Sequence, residues 1–235
     1  MRLSHFAIPG VSKYQDVASI QDRLVSRLLA YKAHPRPPQS EPPRPTIMTA
    51  QFHPVYTYGR RDIGSVSEEQ LKYLRDGGRA DFVEALRGGQ TTFHGPGQLV
   101  AYPIIDLKRH GISPRDYVCL LERSVIATCA RYGIKGMTTE NPGVWTTPEK
   151  KIAALGIHLR RHVTSHGIGL NVCTDLWWFE RIVACGLEGK KTTSLEAEGV
   201  RGGIVEEVGR AFVEEMASRL EIEKIVPAVE KDLEI

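Results

Sequence analysis

Two reactive side chains, Lys151 and Cys185, stand in segments that could present them to a substrate. Lys151 opens the apolar run 151–156, and Cys185 lies between Ala184 and Gly186. The thiolate is the nucleophilic form of cysteine, and a free thiol with a pKa of about 8.5 is mostly protonated near neutral pH. A nearby ammonium favours the thiolate. The pair therefore predicts covalent catalysis in which Cys185 attacks and Lys151 tunes the thiol and transfers protons.

The segment 87–98 holds an unusual density of glycine, together with threonines and His94. Glycines let a backbone approach a ligand closely, and exposed amides there could bind an anion or a carbonyl oxygen. The segment lacks the terminal Gly-Lys-Ser/Thr of a Walker loop and the Gly-x-Gly-x-x-Gly pattern of a dinucleotide site. A hairpin with tight turns is the alternative for the segment. His94 either lines a pocket, where it could orient a substrate carbonyl, or anchors the Gly-Pro-Gly turn.

Neighbouring residues compete for the catalytic roles. Lys150 should point to solvent, opposite to Lys151, because successive side chains of a strand alternate. Cys173 is interpreted as a packing or surface residue. Cys119 and Cys129 lie within a predicted helix and are interpreted as small buried side chains.

Histidines and basic runs suggest weaker possibilities. His158, His162 and His166 have no accompanying carboxylate or thiolate pattern, so neither a metal site nor a cofactor is predicted. The basic runs 160–162 and 60–61 could dock an acidic partner protein, and solvated charge on strand edges is the alternative. The four cysteines form no Cys-x-x-Cys pair, and disulfide frameworks belong mainly to small secreted chains, so reduced thiols in an intracellular compartment are predicted.

The composition excludes several classes of protein. The 235 residues are 41% hydrophobic and 25% charged, with a formal net charge of +3. This is typical of a globular protein long enough to bury a core. The charge is too small to indicate nucleic-acid binding, and no apolar run approaches the ~20 residues of a membrane-spanning helix. We expect no nucleic-acid partner, no membrane association and, by default, a monomer.

The elements that must position these residues alternate irregularly along the chain. Capping boxes, N-caps and apolar periodicity predict helices at 13–32, 68–75, 113–133, 175–182 and 203–220. Strands are predicted at 3–8, 46–52, 82–86, 99–105, 143–145, 152–155, 157–159 and 167–172. The proline-rich run 34–45 fits neither helix nor sheet and is predicted to be an exposed loop insertion. The mixed order predicts a single domain over 1–235 of the α/β or α+β class.

The run Arg-Gly-Gly-Gln-Thr-Thr-Phe-His-Gly-Pro-Gly-Gln-Leu-Val at 87–100, followed by Tyr-Pro-Ile at 102–104, resembles a known signature. It is similar to that of the lipoyl(octanoyl) transferases, the octanoyl-carrier-protein:protein octanoyltransferases of lipoate biosynthesis. Other segments resemble the family's further motifs in the same order, at 56–61, 143–145, 151–156, 167–172, 184–186 and 193–195. The resemblance covers nearly the whole chain.

This resemblance implies a mixed sheet flanked by helices, in the fold shared with biotin and lipoate protein ligases. It implies transfer of an octanoyl group from octanoyl-acyl carrier protein to a lysine of lipoyl domains, those of 2-oxoacid dehydrogenases and the glycine cleavage H protein. Cys185 and Lys151 match the catalytic cysteine and lysine. The acyl-binding segments fall on Arg87, Gly88, Gly89, Gln90, Thr91, Thr92, Phe93 and His94, on Ala154, Leu155 and Gly156, and on Gly167, Ile168 and Gly169.

Two positions depart from the family pattern. Proline usually precedes the cysteine, where this chain has Ala184, and alanine usually stands at the position of Gly169. Loss of the proline would loosen the loop that aims the sulfur, and Gly169 could change the shape of the pocket. Neither change removes a reacting group, so we expect an effect on chain-length preference more than on activity.

Two alternatives stay open. An ATP-dependent lipoate or biotin ligase of the same fold would form an acyl adenylate, and Cys185 and the absence of a recognisable nucleotide loop argue against it. An inactive carrier-domain-binding protein would keep the fold, and the presence of both Lys151 and Cys185 argues against it. The insertion at 34–45 and the motif departures favour a eukaryotic origin, for which the resemblance implies mitochondria; a bacterial cytoplasmic origin is the alternative.

Overall fold

The computed structural model describes residues 1–33, 41–59, 66–182, 189–202 and 204–233. The strands in this part of the chain are β1 (Arg2–Ser12), β2 (Thr46–Phe52), β3 (Val55–Tyr58), β4 (Asp81–Glu84), β5 (Thr92–His94), β6 (Gln98–Ile104), β7 (Val144–Thr147), β8 (Lys150–Arg160), β9 (Val163–Asn171), β10 (Lys191–Thr192) and β11 (Lys224–Pro227). The α-helices are α1 (Tyr14–Ala33), α2 (Glu68–Arg75), α3 (Pro114–Ala130), α4 (Trp177–Glu180) and α5 (Val205–Arg219).

An eight-stranded mixed sheet forms the centre of the described chain. Its strand order is β10-β8-β9-β6-β2-β1-β11, and β7 also pairs with β8. β1 runs parallel to β2 and β11, whereas β2, β6, β9 and β8 are antiparallel to one another in that order. Helix α1 connects β1 to β2, since parallel neighbours need a crossover. A smaller sheet, β4-β3-β5, lies beside the first. The predicted mixed sheet flanked by helices is confirmed.

Both faces of strand β6 are covered by helices. Leu99 and Ala101 belong to the core formed with α3 and α5, whereas Val100 and Tyr102 belong to the core formed with α1. This alternation follows the two-residue period of a strand. Every residue of β6 is buried, which explains why its run 99–104 is continuously apolar instead of alternating.

Two helices begin where their capping residues predict. The Ser67 hydroxyl accepts a hydrogen bond from the Gln70 amide at 3.2 Å, and α2 covers the predicted 68–75. The Ser113 hydroxyl accepts from the Asp116 amide at 3.1 Å, with proline at the first helical position of α3. Both arrangements satisfy amides that have no partner inside the helix. None of the described helices is long and apolar enough to cross a membrane.

Several predicted boundaries are wrong. β1, predicted at 3–8, continues through Pro9-Gly10 to Ser12 by means of a register shift against β2. The predicted strands 152–155 and 157–159 are one strand, because Gly156 pairs with Gly167 and continues the ladder. Sequence reasoning missed β11, which pairs in parallel with β1. Residues 41–45 form no helix or strand, and 34–40 lie outside the described ranges.

The cysteines of α3 differ in burial. Cys129 is buried as predicted, but Cys119 is exposed and that prediction was wrong. The buried face of α3 includes Tyr117 and Leu121. Cys119 lies halfway between them in sequence, so at 3.6 residues per turn its side chain points away from that face.

Two glycines of β9 provide a test of how closely the strands are packed. A Cβ at Gly167 would overlap the carbonyl oxygen of Ala101 and lie 2.8 Å from Pro103 Cδ, whereas a Cβ at Gly169 would lie 3.2 Å from Gln98 Oε1, a contact that a small shift relieves. We expect Gly167→Ala to lower the free energy of unfolding by about 2–3 kcal/mol, and Gly169→Ala by less than about 1 kcal/mol. Urea denaturation measures both values. Equal losses would contradict the close approach at Gly167.

Candidate active site

Strand β8 directs its two adjacent lysines to opposite sides. Lys150 is exposed, and its ammonium lies 3.6 Å from the Glu198 carboxylate. Lys151 is buried, with 7% of its surface exposed. The predicted alternation is therefore confirmed, and Lys151 is the lysine that faces the interior.

The Lys151 ammonium has defined partners. Its Nζ donates a hydrogen bond to the Pro142 carbonyl oxygen at 3.2 Å and lies 4.7 Å from the centre of the Trp145 ring. A cation within about 6 Å of an aromatic face is attracted by the ring quadrupole. The Trp145 indole in turn donates to the Asn141 carbonyl at 3.2 Å, which fixes the ring. Residues 141–145 thus form one wall around the ammonium.

Gly143 makes room for the lysine stem. Its φ of 129° lies in a region that residues with a Cβ rarely adopt. A Cβ there would lie 2.8 Å from the Ala153 carbonyl oxygen and 3.2 Å from Lys151 Cε. The Gly-Val-Trp motif at 143–145 therefore combines a gap for the lysine with an aromatic surface for its charge.

Lys151 borders a cavity of about 260 Å³, and a narrower cavity of about 40 Å³ lies beside it. The two share Gly89, Gln90, Leu155 and Gly156 as wall residues. A separate cleft of about 470 Å³, between α1 and the segment before β2, contains none of the predicted site residues. We therefore place the candidate site at the pair of adjoining cavities, because the candidate groups converge there.

The structure brings together most of the residues predicted to bind a substrate. The narrow cavity is lined by Arg87, Gly89, Gln90, Thr92, His94, Ala154, Leu155, Gly156, Gly167, Ile168 and Gly169, and Gly88 lines the larger cavity. Thr91 and Phe93 line neither. Phe93 faces the opposite side of β5, where its ring stacks on Trp178 with centroids 5.1 Å apart.

Sequence reasoning missed two residues of the narrow cavity, Tyr102 and His166. Their rings meet edge to face, with centroids 5.4 Å apart. The His166 amide donates to the Gln21 side chain at 2.6 Å, and His166 has a positive φ of 56°. A buried non-glycine residue with positive φ often marks a functional position, but this conformation has no signature in a single sequence.

Arg87 ties the glycine-rich segment to the small sheet. Its guanidinium donates to the Thr57 carbonyl at 2.7 Å and to the Gln90 carbonyl at 2.9 Å. The Gly88 amide donates to the Ile157 carbonyl at 3.0 Å, so the same segment is also held on β8. A Cβ at Gly156 would lie 2.8 Å from Arg87 Cδ. The segment can therefore close against β8 only because glycine stands at 156.

A chain of side-chain hydrogen bonds fixes the tautomer of His94. Asn171 Nδ2 donates to the Thr193 carbonyl at 2.9 Å, so Asn171 Oδ1 accepts from Gln98 Nε2 at 2.9 Å. Gln98 Oε1 must then accept the 2.6 Å bond from His94 Nδ1. His94 is accordingly the Nδ1–H tautomer, and its Nε2 carries the lone pair. The residue both lines the cavity and anchors the segment, which combines the two predicted alternatives.

Burial also fixes the charge of the cavity histidines. Desolvation, followed by the nearby Arg87, lowers the pKa of His94 to about 4. Desolvation, with Arg87, His158 and His94 as further causes, lowers the pKa of His166 to about 3. Both side chains are neutral at physiological pH.

Arg181 lies just before the segment that carries Cys185 and contacts two aromatic rings and a carboxylate. The Arg181 guanidinium lies 4.1 Å from the Tyr73 ring and 4.6 Å from the Trp177 ring, and 3.3 Å from an Asp76 carboxylate oxygen. These contacts fasten the end of α4 to α2. Cys185 and Ala184, predicted as the nucleophile and its neighbour, fall in 183–188, outside the described residues.

Two of the other cysteines lie in environments that disfavour the thiolate. Burial raises the pKa of Cys129 to about 12. Partial burial and the nearby Glu196 and Glu206 raise the pKa of Cys173, which is exposed as predicted. Within the described ranges, no group of three or more His, Cys, Asp or Glu side chains could hold a metal ion.

The depressed pKa of His94 predicts a loss of stability in acid. Between about pH 6.5 and 4 the unfolded chain binds a proton at this histidine and the folded chain does not, so the free energy of unfolding falls as pH falls. We expect His94→Gln to reduce the loss between pH 7 and pH 5 by roughly 2 kcal/mol. Urea denaturation at both pH values measures it, with the exposed His53→Gln as the matched control. An unchanged loss in His94→Gln would contradict a neutral buried His94.

The chain resembles known proteins over most of its length. Residues 18–217 match the family model of the lipoyl protein ligase A/B catalytic domain. A probable octanoyltransferase of Schizosaccharomyces pombe is 55% identical over 80% of this chain and 82% of that protein. A mitochondrial octanoyl-[acyl-carrier-protein]:protein N-octanoyltransferase of Danio rerio is 48% identical over 65% of this chain and 67% of that protein.

The solved structures show the fold. A bipartite lipoate protein ligase from the archaeal lipoylation system of Thermoplasma acidophilum superposes with a TM-score of 0.64 at 16% identity, covering 99% of this chain and 89% of that one. The ligase-type fold predicted from the sequence is therefore confirmed. With the family model and the close relatives, this establishes that the chain belongs to the lipoyl protein ligase A/B catalytic domain family, and within it to the octanoyltransferases, which are acyltransferases.

Proposed function

We propose that this octanoyltransferase moves an octanoyl group from octanoyl-acyl carrier protein to a lysine of a lipoyl domain through a thioester on Cys185. The observation that carries the mechanism is the buried Lys151 ammonium, which borders the cavity opposite the glycine-rich segment 87–90. The name of the zebrafish relative, a carrier-protein-dependent protein N-octanoyltransferase, supports the donor and the acceptor class.

In the first half-reaction, the Cys185 thiolate attacks the thioester carbonyl of the donor. A new carbon–sulfur bond forms, and the carrier thiolate leaves with its electron pair. Lys151 supplies a proton to that departing thiolate, which leaves the lysine as a neutral amine. Backbone amides near Cys185 and in the glycine-rich segment stabilise the oxyanion, an effect typically worth a few kcal/mol per donor.

In the second half-reaction, the amine of the acceptor lysine attacks the acyl-cysteine carbonyl. The nitrogen–carbon bond forms, the Cys185 thiolate leaves, and the neutral Lys151 amine takes the proton lost by the attacking nitrogen. Both catalytic groups return to their starting charges. Overall, a thioester and an amine become a thiol and an amide, and no nucleotide is consumed.

The lining of the narrow cavity suits an acyl chain, and its volume of about 40 Å³ must widen when eight carbons enter. Its walls at 154–156 and 167–169 consist of glycine, alanine, leucine and isoleucine, so they offer apolar surface with little bulk. Neutral His94 and His166 bring no charge to it. We assign this cavity to the octanoyl chain and the larger cavity, beside Lys151, to the reacting carbonyl.

An ATP-dependent ligase is the second candidate, because solved structures of this fold include a lipoate-protein ligase A bound with ATP. That likeness, at 15% identity, concerns the fold alone. The close relatives are named octanoyltransferases. We therefore place the ATP-independent reaction first.

We propose octanoyl-acyl carrier protein as the donor. The proposed acceptors are the lipoyl domains of 2-oxoacid dehydrogenases and the glycine cleavage H protein, and the enzyme is proposed to act as a monomer.

The basic run 160–162 is a poor place for donor docking. Lys151 and Arg160 stand at opposite ends of β8, about 30 Å apart at roughly 3.3 Å per residue. The run 60–61 lies outside the described residues.

A mitochondrial location follows if the chain is eukaryotic, because eukaryotic relatives are named mitochondrial.

Mass spectrometry tests the acyl-enzyme directly. Incubation with octanoyl-carrier protein in the absence of ATP should give an octanoyl adduct on Cys185, because thioester exchange onto sulfur is nearly isoenergetic. Cys185→Ser should lose this adduct, whereas Cys173→Ser, a change at an exposed cysteine, should keep it. Absence of an adduct in the wild type, or an undiminished adduct in Cys185→Ser, would contradict the mechanism.

A further inference from the structure

One peptide unit, between Pro142 and Gly143, binds two charged side chains of opposite sign. Its carbonyl oxygen accepts the hydrogen bond from Lys151 Nζ at 3.2 Å. Its amide, on Gly143, donates to Glu122 Oε1 at 3.1 Å. The orientation of this single peptide therefore determines whether the hydrogen bond from Lys151 to Pro142 forms.

The peptide lies in a segment that no ladder holds. Residues 139–143 belong to neither helix nor strand. Gly143, with φ of 129°, carries no side chain that would restrict rotation of the adjoining peptide. A rotation that turned the Pro142 carbonyl away from Lys151 would also turn the Gly143 amide away from Glu122. The bond to Glu122 thus opposes that rotation.

Glu122 is well placed to serve as an anchor. It lies on α3 between Leu121 and Val125, both fully buried in the main core, so its backbone cannot shift easily. A hydrogen bond to a carboxylate is stronger than one between neutral groups. It also polarises the peptide and makes the carbonyl at its other end a better acceptor.

We propose that Glu122 is a positioning residue for the catalytic lysine, acting through the Pro142–Gly143 peptide. The proposal rests on the proposed function, in which Lys151 transfers protons at the reacting carbonyl. Glu122 does not touch the substrate. It keeps the Pro142 carbonyl directed at Lys151 and so keeps the ammonium at the border of the cavity.

The first test is single-turnover formation of the acyl-enzyme, with Cys185 occupancy followed by mass spectrometry. Glu122→Ala removes the acceptor and should slow acylation by about 10-fold, the equivalent of one lost charged hydrogen bond, with little change in the donor concentration at half-maximal rate. Glu122→Gln keeps an oxygen at the same place and should recover the rate to within about 3-fold of wild type. Arg123→Ala, at the exposed neighbouring position, is the matched control and should not change the rate.

The second test reads the lysine itself and does not depend on activity. Brief acetylation with acetic anhydride, quantified by mass spectrometry, gives the reactivity of Lys151 relative to the exposed Lys150 in the same molecule. Glu122→Ala should raise this ratio several-fold because the Pro142 carbonyl is no longer held toward Lys151, which weakens the hydrogen bond that occupies its Nζ. Glu122→Gln and Arg123→Ala should leave it near the wild-type value.

The outcomes separate this proposal from the function on which it rests. An unchanged ratio in Glu122→Ala would overturn the positioning role, and so would an equal loss of acylation rate in Glu122→Ala and Glu122→Gln. If the wild type formed no acyl-enzyme while Glu122→Ala still raised the Lys151 ratio, the proposed function would be wrong and the positioning role would stand.

Discussion

The burial of one ammonium group is the constraint on which the site depends. Lysine is rarely buried unless it has partners, and desolvation of a charge is costly. The Lys151 ammonium contacts the Pro142 carbonyl just before β7 and the Trp145 ring within β7. Both contacts depend on Gly143, which follows Pro142 and has no side chain, so that it leaves space for the lysine stem. The arrangement keeps a proton donor beside a cavity instead of in solvent.

The other side of the site is built by the absence of side chains. Glycines at 156, 167 and 169 let β8 and β9 approach the Arg87–Gln90 segment and β6 closely, and they leave the narrow cavity between these elements. Polar groups inside this region are fixed by one another, as the bonds from Thr193 through Asn171 and Gln98 to His94 illustrate. A fully connected network of this kind is rigid, so it holds the polar wall of the narrow cavity in place.

Local rules predicted much of the fold. The starts of α2 and α3 were predicted correctly from Ser67 and Ser113, because capping depends on a few adjacent residues. The inward direction of Lys151 followed from strand alternation. Gly156 looked like a break between two strands, but cross-strand pairing with Gly167 overrode the local preference.

The features that sequence reasoning missed depend on contacts between segments that are distant along the chain. His166 reads as one more residue of a strand, and only the structure shows its positive φ and its place in the cavity. Glu122 reads as a solvated helix residue, because nothing in its surroundings along the chain reveals a bond to Gly143, 21 positions away. Most of the residues that the family resemblance assigned to acyl binding line the narrow cavity together, because such motifs record long-range contacts that periodicity does not.

The claim that the buried Lys151 activates the Cys185 thiol is tested most directly by the pH dependence of Cys185 alkylation. Rates with iodoacetamide, followed at Cys185 by mass spectrometry in wild type and Lys151→Ala, give the midpoint of thiolate formation in each protein. If the ammonium stabilises the thiolate, its removal should move the midpoint to higher pH. An identical midpoint in the two proteins would contradict the pairing of Lys151 with Cys185.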